Sequence, residues 1–151
     1  MPQSLSQIYL HIVFSTKNRL PFIDESIRSE LYAYMAAILH DECDSPARII
    51  GGMDDHAHIL LRLSRVQTVA HIVEIVKKRS SKWIKTKGDK YRDFQWQTGY
   101  GVFSVGVSSV DNVVGYISNQ RQHHEAMSFE DEYRDFLKTQ GIEYDESYVW
   151  D

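Results

Sequence analysis

His56 and His58 flank Ala57 just ahead of the apolar run Ile59-Leu60-Leu61. Alternate side chains of a strand point to one face, so two imidazoles would meet there and offer two neutral nitrogens to a divalent metal ion. Tyr116 and Gln120 stand four residues apart in a stretch with helical spacing, where i and i+4 are neighbours. A phenol and an amide therefore also share a face, and the four residues together suggest a metal-assisted tyrosine nucleophile. Each has a plainer alternative. A His-x-His pair on a strand is also found as a surface pair or a hydrogen-bonded core pair. Any one of nine tyrosines is usually a packed ring with its hydroxyl at the surface, and Gln120 is equally a solvated helix residue. The acidic Asp54-Asp55 approach favours ligation at the histidines. Imidazole with amide or carboxylate oxygen suits several divalent ions, so the element stays open. His123 and His124 fall near the end of a helix, where cations favour the dipole, and read as structural.

The elements that must position these groups follow from hydrophobic spacing. Ile8, Leu10, Ile12 and Phe14 alternate with Tyr9, His11 and Val13, the period of a strand. From Asp24 to about Glu42, Ile27, Leu31, Tyr34, Met35 and Ile38 recur at helical intervals, with Asp24 as N-cap. Two strands follow, from Pro46 to Met53 and from His56 to Leu63, joined by a tight Met53-Asp54-Asp55 connection, most simply a hairpin. Val69, Ile72, Val73, Val76, Trp83 and Ile84 stripe a second helix ending near Lys85, whose outer face carries Lys77, Lys78, Lys82 and Lys85. A fourth strand near Tyr100 to Val107 leads through Ser108 or Ser109 into a helix bearing Tyr116 and Gln120. Ser128 with Asp131 resembles a capping box for a short last helix ending near Gly141.

Strand, helix, strand, strand, helix, strand is the order of a ferredoxin-like (RRM-like) α+β fold, a four-stranded antiparallel sheet with two helices on one face. The expected organisation is a single domain over 1–151, with a core at 5–107, a tyrosine helix at 109–125 and a last helix with an acidic tail at 128–151. Ala57, Ile59, Leu61 and Leu63 would enter the core, leaving His56, His58, Leu60 and Arg62 on an open face, with His11 of the adjacent first strand beside them.

A chain of 151 residues, 42% hydrophobic and 25% charged, is long enough to bury one real core. A single cysteine, Cys43, excludes an intramolecular disulfide framework and fits a reducing compartment. No apolar run suggests a membrane span, and Met1-Pro2-Gln3-Ser4 lacks a signal-peptide layout, so the expected location is the cytoplasm. The net charge of −4 argues against a uniformly basic nucleic-acid binder but hides an asymmetry. Residues 65–92 carry nine Lys or Arg against two acids, and residues 125–151 carry nine acids against two basic residues. Trp83, Tyr91 and Trp96 lie among or beside the cations of the first segment, a combination that can hold a single strand by stacking and phosphate contact.

The chain resembles the small single-tyrosine HUH transposases of the insertion-sequence 200/605 group over nearly its whole length. The resemblance is carried by His56-Ala57-His58 with its apolar run, by Arg79-Ser80-Ser81-Lys82-Trp83, by Tyr116-Ile117-Ser118-Asn119-Gln120, and by the ending from Gly141-Ile142-Glu143-Tyr144-Asp145 to Trp150-Asp151. The family's middle residue in the His pair is usually a bulky hydrophobe; Ala57 departs from it at a packing position.

The resemblance implies that His56, His58 and Gln120 hold a divalent metal, Mg2+ or Mn2+, and that Tyr116 is the nucleophile. It implies cleavage and rejoining of single-stranded DNA at hairpin-bearing ends in a bacterial or archaeal cytoplasm, through a 5′-phosphotyrosine intermediate. It also implies a homodimer whose tyrosine helix can complete the partner's site, with Gly106 and Ser108-Ser109 as hinge. His11, Arg62, Lys78, Arg79 and Lys82 are the expected DNA contacts. Two alternatives are a domesticated nuclease or nickase acting on repeated hairpins with the same chemistry, and a non-catalytic ferredoxin-like module that stacks bases on an open sheet.

Overall fold

The structure, a computed structural model, describes residues 2–151. The sheet is built from β1 (Tyr9–Ser15), β2 (Ala47–Met53), β3 (His56–Arg62) and β4 (Gly101–Val105) in the order β2-β3-β1-β4, all neighbours antiparallel. With α1 (Glu25–Asp41) and α2 (Val69–Lys85) interleaved, this is the α+β, ferredoxin-like arrangement read from the hydrophobic pattern. β1 and β3 are the central pair, with Val13 opposite His58 and Ser15 opposite His56.

Local chemistry sets the ends. Asp24 caps α1 by accepting from Ser26 N, and Thr68 caps α2 by accepting from His71 N. The β2–β3 hairpin turns at Asp54-Asp55, and Gly52 beside it has φ +149. A Cβ at Gly52 would stand 2.2 Å from the His56 carbonyl oxygen, so the glycine permits the register that aims both histidines at one face.

Leu10, Ile12 and Phe14 of β1 and Ala57, Ile59 and Leu61 of β3 meet α1 and α2 in the main core. Tyr91, Phe94 and Trp96 join that core from the loop after α2. This corrects the expectation that Tyr91 and Trp96 are free to stack on bases. Their loop lacks any periodicity that would mark them as inward-facing.

The opposite face is covered, not open. α3 (Val110–Ser118) packs Val110 and Ile117 on Leu60. α5 (Phe129–Thr139) packs Phe129, Tyr133 and Leu137 on Val13 and Phe103. Between them lies α4 (Gln120–His123). The tyrosine segment is therefore two short helices broken at Asn119 (φ −100, ψ 20), where one helix over 109–125 was expected. Ser128 caps α5 by accepting from Asp131 N. The helix stops at Gly141, whose φ of +68 lets Ile142 N donate to Leu137 O at 2.9 Å. Among the described residues no helix is long and apolar enough to cross a membrane.

Candidate active site

β3 delivers His56 and His58 to the covered face, and both are 0% exposed. The expectation that they lie where ligand reaches them freely fails, because α4 and α5 roof them. His56 Nδ1–H donates to Asp55 Oδ1 at 2.7 Å, which fixes its tautomer and turns Nε2 inward, 3.0 Å from Gln120 Oε1. His58 Nε2 lies 3.0 Å from Glu132 Oε1, and its Nδ1 lies 2.8 Å from His11 Nε2. His11 is thus an interior neighbour of the pair and offers no exposed surface to DNA.

Tyr116 reaches the same pocket within one chain. Its ring centroid is 5.8 Å from that of His58, its hydroxyl donates to Glu132 Oε2, and His123 Nε2 lies 3.2 Å from that hydroxyl. Glu132 is 2% exposed and stands between the phenol and the imidazoles. Its Oε2 also lies 3.2 Å from His123 Nε2 and from His124 Nε2, and it accepts from Gln120 Nε2 at 3.3 Å. Phe129 stacks on His56 at 4.5 Å, and Phe136 meets the Tyr116 ring edge-on at 5.7 Å. Beside the phenol a cavity of about 280 Å³ opens between Tyr116, His123, Glu132, Asp135 and Phe136.

Burial and charge set the protonation states. Burial lowers His11 to about 3, helped by His58. Burial also lowers His58 to about 4 against the pull of Glu132. Burial alone would raise Glu132, but bonds to His124 and His58 and the charge of His58 and His56 hold it well below the usual carboxylate range. Tyr116 is pushed far up, first by burial and then by the Glu132 carboxylate that accepts its hydrogen bond. His124 is raised because contact with Glu132 outweighs burial.

One donor atom each from His56, His58, His124 and Glu132 lies within 4.8 Å of the others. Convergent, buried imidazole and carboxylate donors suit a divalent cation, so the residues present fit the metal that the resemblance implies.

Residues 4–120 match the protein family described as Transposase IS200 like. The chain belongs to that family. Two solved structures share the transposase's fold. One is a candidate transposase from Deinococcus radiodurans R1, with TM-score 0.62 and 18% identity over 80% of this chain and 95% of that one. The other is a REP-associated tyrosine transposase bound to a REP hairpin, with TM-score 0.59 and 11% identity over 82% of this chain and 72% of that one. No curated protein matches the chain.

In this IS200-like family member, His56, His58, Gln120 and Tyr116 come together, whereas the expected DNA contacts scatter. Arg62 is exposed at the end of β3. Lys78, Arg79 and Lys82 are exposed on α2, whose inner face joins the core on the other side of the sheet from the histidines. Arg79 pairs with Glu42. Lys77, expected on the solvated face, instead donates to the carbonyls of Gln97, Thr98 and Gly99. The covered sheet face also leaves no open platform for the base-stacking module.

Sequence reasoning missed Glu132 and read His123 and His124 as structural. The signal for Glu132 was present: Phe129, Tyr133, Phe136 and Leu137 form the apolar stripe of α5, and Glu132 is the one acid inside it. A carboxylate among core positions needs a partner. For the two histidines no sequence signal was available, because the single helix expected over 109–125 breaks at Asn119 and its spacing does not carry through to them.

Proposed function

We propose that this family member cleaves and rejoins single-stranded DNA at hairpin-bearing ends, with Tyr116 as nucleophile and His56, His58 and Gln120 as donors to a divalent metal ion. The reading rests on one observation. The Tyr116 phenol and the inward nitrogens of the histidine pair converge on the buried Glu132 carboxylate in one pocket, His58 at 3.0 Å and His56 at 3.6 Å.

The phenolic oxygen attacks the scissile phosphorus and the bond from phosphorus to the 3′ oxygen breaks. The DNA is left joined through its 5′-phosphate to Tyr116, and a 3′-hydroxyl leaves. A 3′-hydroxyl of another strand then attacks the ester, releases the tyrosine and restores the DNA bond, so no nucleotide cofactor is needed. Held by these residues, a divalent ion would supply polarisation of the phosphate and stabilisation of the departing oxygen. The chain's own residues handle the phenol proton. At rest Tyr116 keeps its proton and donates it in a hydrogen bond to Glu132; on attack the phenol proton leaves through His123 to solvent, and the departing 3′ oxygen takes a proton from solvent. His123, partly exposed at 29%, lies against both groups and links them to solvent. Asp55 and His11 hold the two metal-facing imidazoles in orientation. The enzyme acts in the cytoplasm as a homodimer on hairpin DNA, and Arg62 is the exposed cation on the histidine face of β3.

The test incubates a 3′-labelled single-stranded hairpin oligonucleotide with protein and Mn2+ and seeks a covalent adduct on a denaturing gel. Wild type forms it. Tyr116→Phe binds the DNA and forms none. An adduct that persists in Tyr116→Phe refutes the assignment of the nucleophile.

A further inference from the structure

His56 and His124 present an unusual electrostatic arrangement. Each commits its Nδ1–H to a group that can only accept, the Asp55 carboxylate and the Met127 carbonyl, both at 2.7 Å. Each then turns Nε2 toward further acceptors. Gln120 Oε1 is 3.0 Å from both nitrogens, and the nearest Glu132 oxygens are 3.6 and 3.2 Å away. Neutral imidazoles would here point lone pairs at lone pairs, which is favourable only with positive charge between them. Among the ion pairs of the described residues only histidines face Glu132, yet a buried carboxylate requires a cationic partner. The third imidazole, His58, also turns Nε2 to Glu132 Oε1 at 3.0 Å, and His11 Nε2 at 2.8 Å can accept from its Nδ1–H in the tautomer that leaves Nε2 free for a cation. Three nitrogens and one carboxylate thus enclose one cation-demanding point. Two of the four, His124 and Glu132, lie beyond the family-matched segment 4–120.

We propose that His124 and Glu132 join His56, His58 and Gln120 as donors to the metal ion, and that this centre, with three imidazoles and one carboxylate beside the Gln120 amide, selects Mn2+ or Co2+ over Mg2+. The inference rests on the reading of the site as a strand-cleaving centre and deepens it. Imidazole donors favour first-row transition ions, whereas Mg2+ prefers oxygen ligands and retains several waters. Phe129 and Phe136 wall the imidazole side of the pocket with rings. Fixed outer partners on every imidazole are the pattern of a pre-oriented metal site.

The test titrates the metal-free full chain with Co2+ alone and follows its d–d absorption, then adds Mg2+ in large excess. Wild type is expected to bind Co2+ and keep it. His124→Ala and the isosteric Glu132→Gln should each weaken Co2+ binding by at least about tenfold and change the spectrum, with folding checked by thermal unfolding. Glu130→Gln, an exposed change on the same helix, should match wild type. Co2+ binding and spectra unchanged in His124→Ala and Glu132→Gln overturn the proposal, as does ready displacement by Mg2+. Tyr116→Phe should bind Co2+ normally. If wild type forms no DNA adduct yet holds Co2+ through these residues, the strand-cleavage reading fails and the metal centre stands; the reverse pattern separates the two the other way.

Discussion

The helix that carries Tyr116 lies on β2 with almost no clearance at Gly51. A Cβ placed there would stand 2.7 Å from both Cγ2 and the backbone oxygen of Ile117, where ordinary contact begins at 3.4 Å. Rotating the Ile117 side chain relieves only the first clash, so in Gly51→Ala the helix itself must retreat by about 0.7 Å. Ile117 is the neighbour of Tyr116, and the phenol moves with it. Overpacking of this kind costs roughly 1–3 kcal/mol, or about 2–4 °C of Tm per kcal/mol in a domain of this size. Misplacing a reacting group by about 1 Å costs on the order of a hundredfold in rate. Gly51→Ala is therefore expected to fold, to bind the hairpin, and to form the Tyr116 adduct one to two orders of magnitude more slowly in a single-turnover gel assay. Gly115→Ala is the internal control. It sits beside Tyr116 with nothing within 4 Å of the added Cβ, so it should raise helix stability by about 0.5–1 kcal/mol and leave the rate unchanged. An adduct rate for Gly51→Ala within twofold of wild type would show that the seat of this helix does not position the nucleophile.

Other outcomes follow from the same contacts. In metal-free buffer the unfolded chain protonates His58 and His11 near pH 6.5, while the folded protein resists until about 4 and about 3. Stability should therefore fall as pH drops from 6.5 toward 4, with His124, whose value is raised, acting in the opposite sense as pH rises through it. Urea midpoints measured at about pH 7.5 and about pH 5 check this, and equal midpoints contradict it. Asp24→Ala removes the α1 cap together with acceptors for Tyr91 and Lys90. It should cost about 0.5–2 kcal/mol in urea unfolding and leave adduct formation intact.

The alternation of β1 and β3, the stripes of α1 and α2 and the caps at Asp24 and Ser128 were legible because each is a local rule written in neighbouring residues. The shared face of His56 and His58 was legible for the same reason. Glu132 was hidden among nine acids in residues 125–151, and only its place in the apolar stripe sets it apart. The roof over the histidines was not legible, since a strand's pattern tells which side chains share a face but not whether another element later covers it. Lys77 and Trp96 were misread for a related reason: their partners come from residues 97–99 and from Ser80, contacts made by a loop without periodicity.

The interruption at Asn119 has a mechanical meaning. A continuous helix would tie the phenol to Gln120, His123 and His124 as one rod, so any travel by one would drag the rest. With the ladder interrupted, the segment bearing the phenol sits on β2 through Ile117 separately from the segment bearing Gln120, His123 and His124. On the proposed strand-joining reading that separation matters, because a covalently loaded tyrosine would have to meet a second DNA end without dismantling the pocket that opened the first.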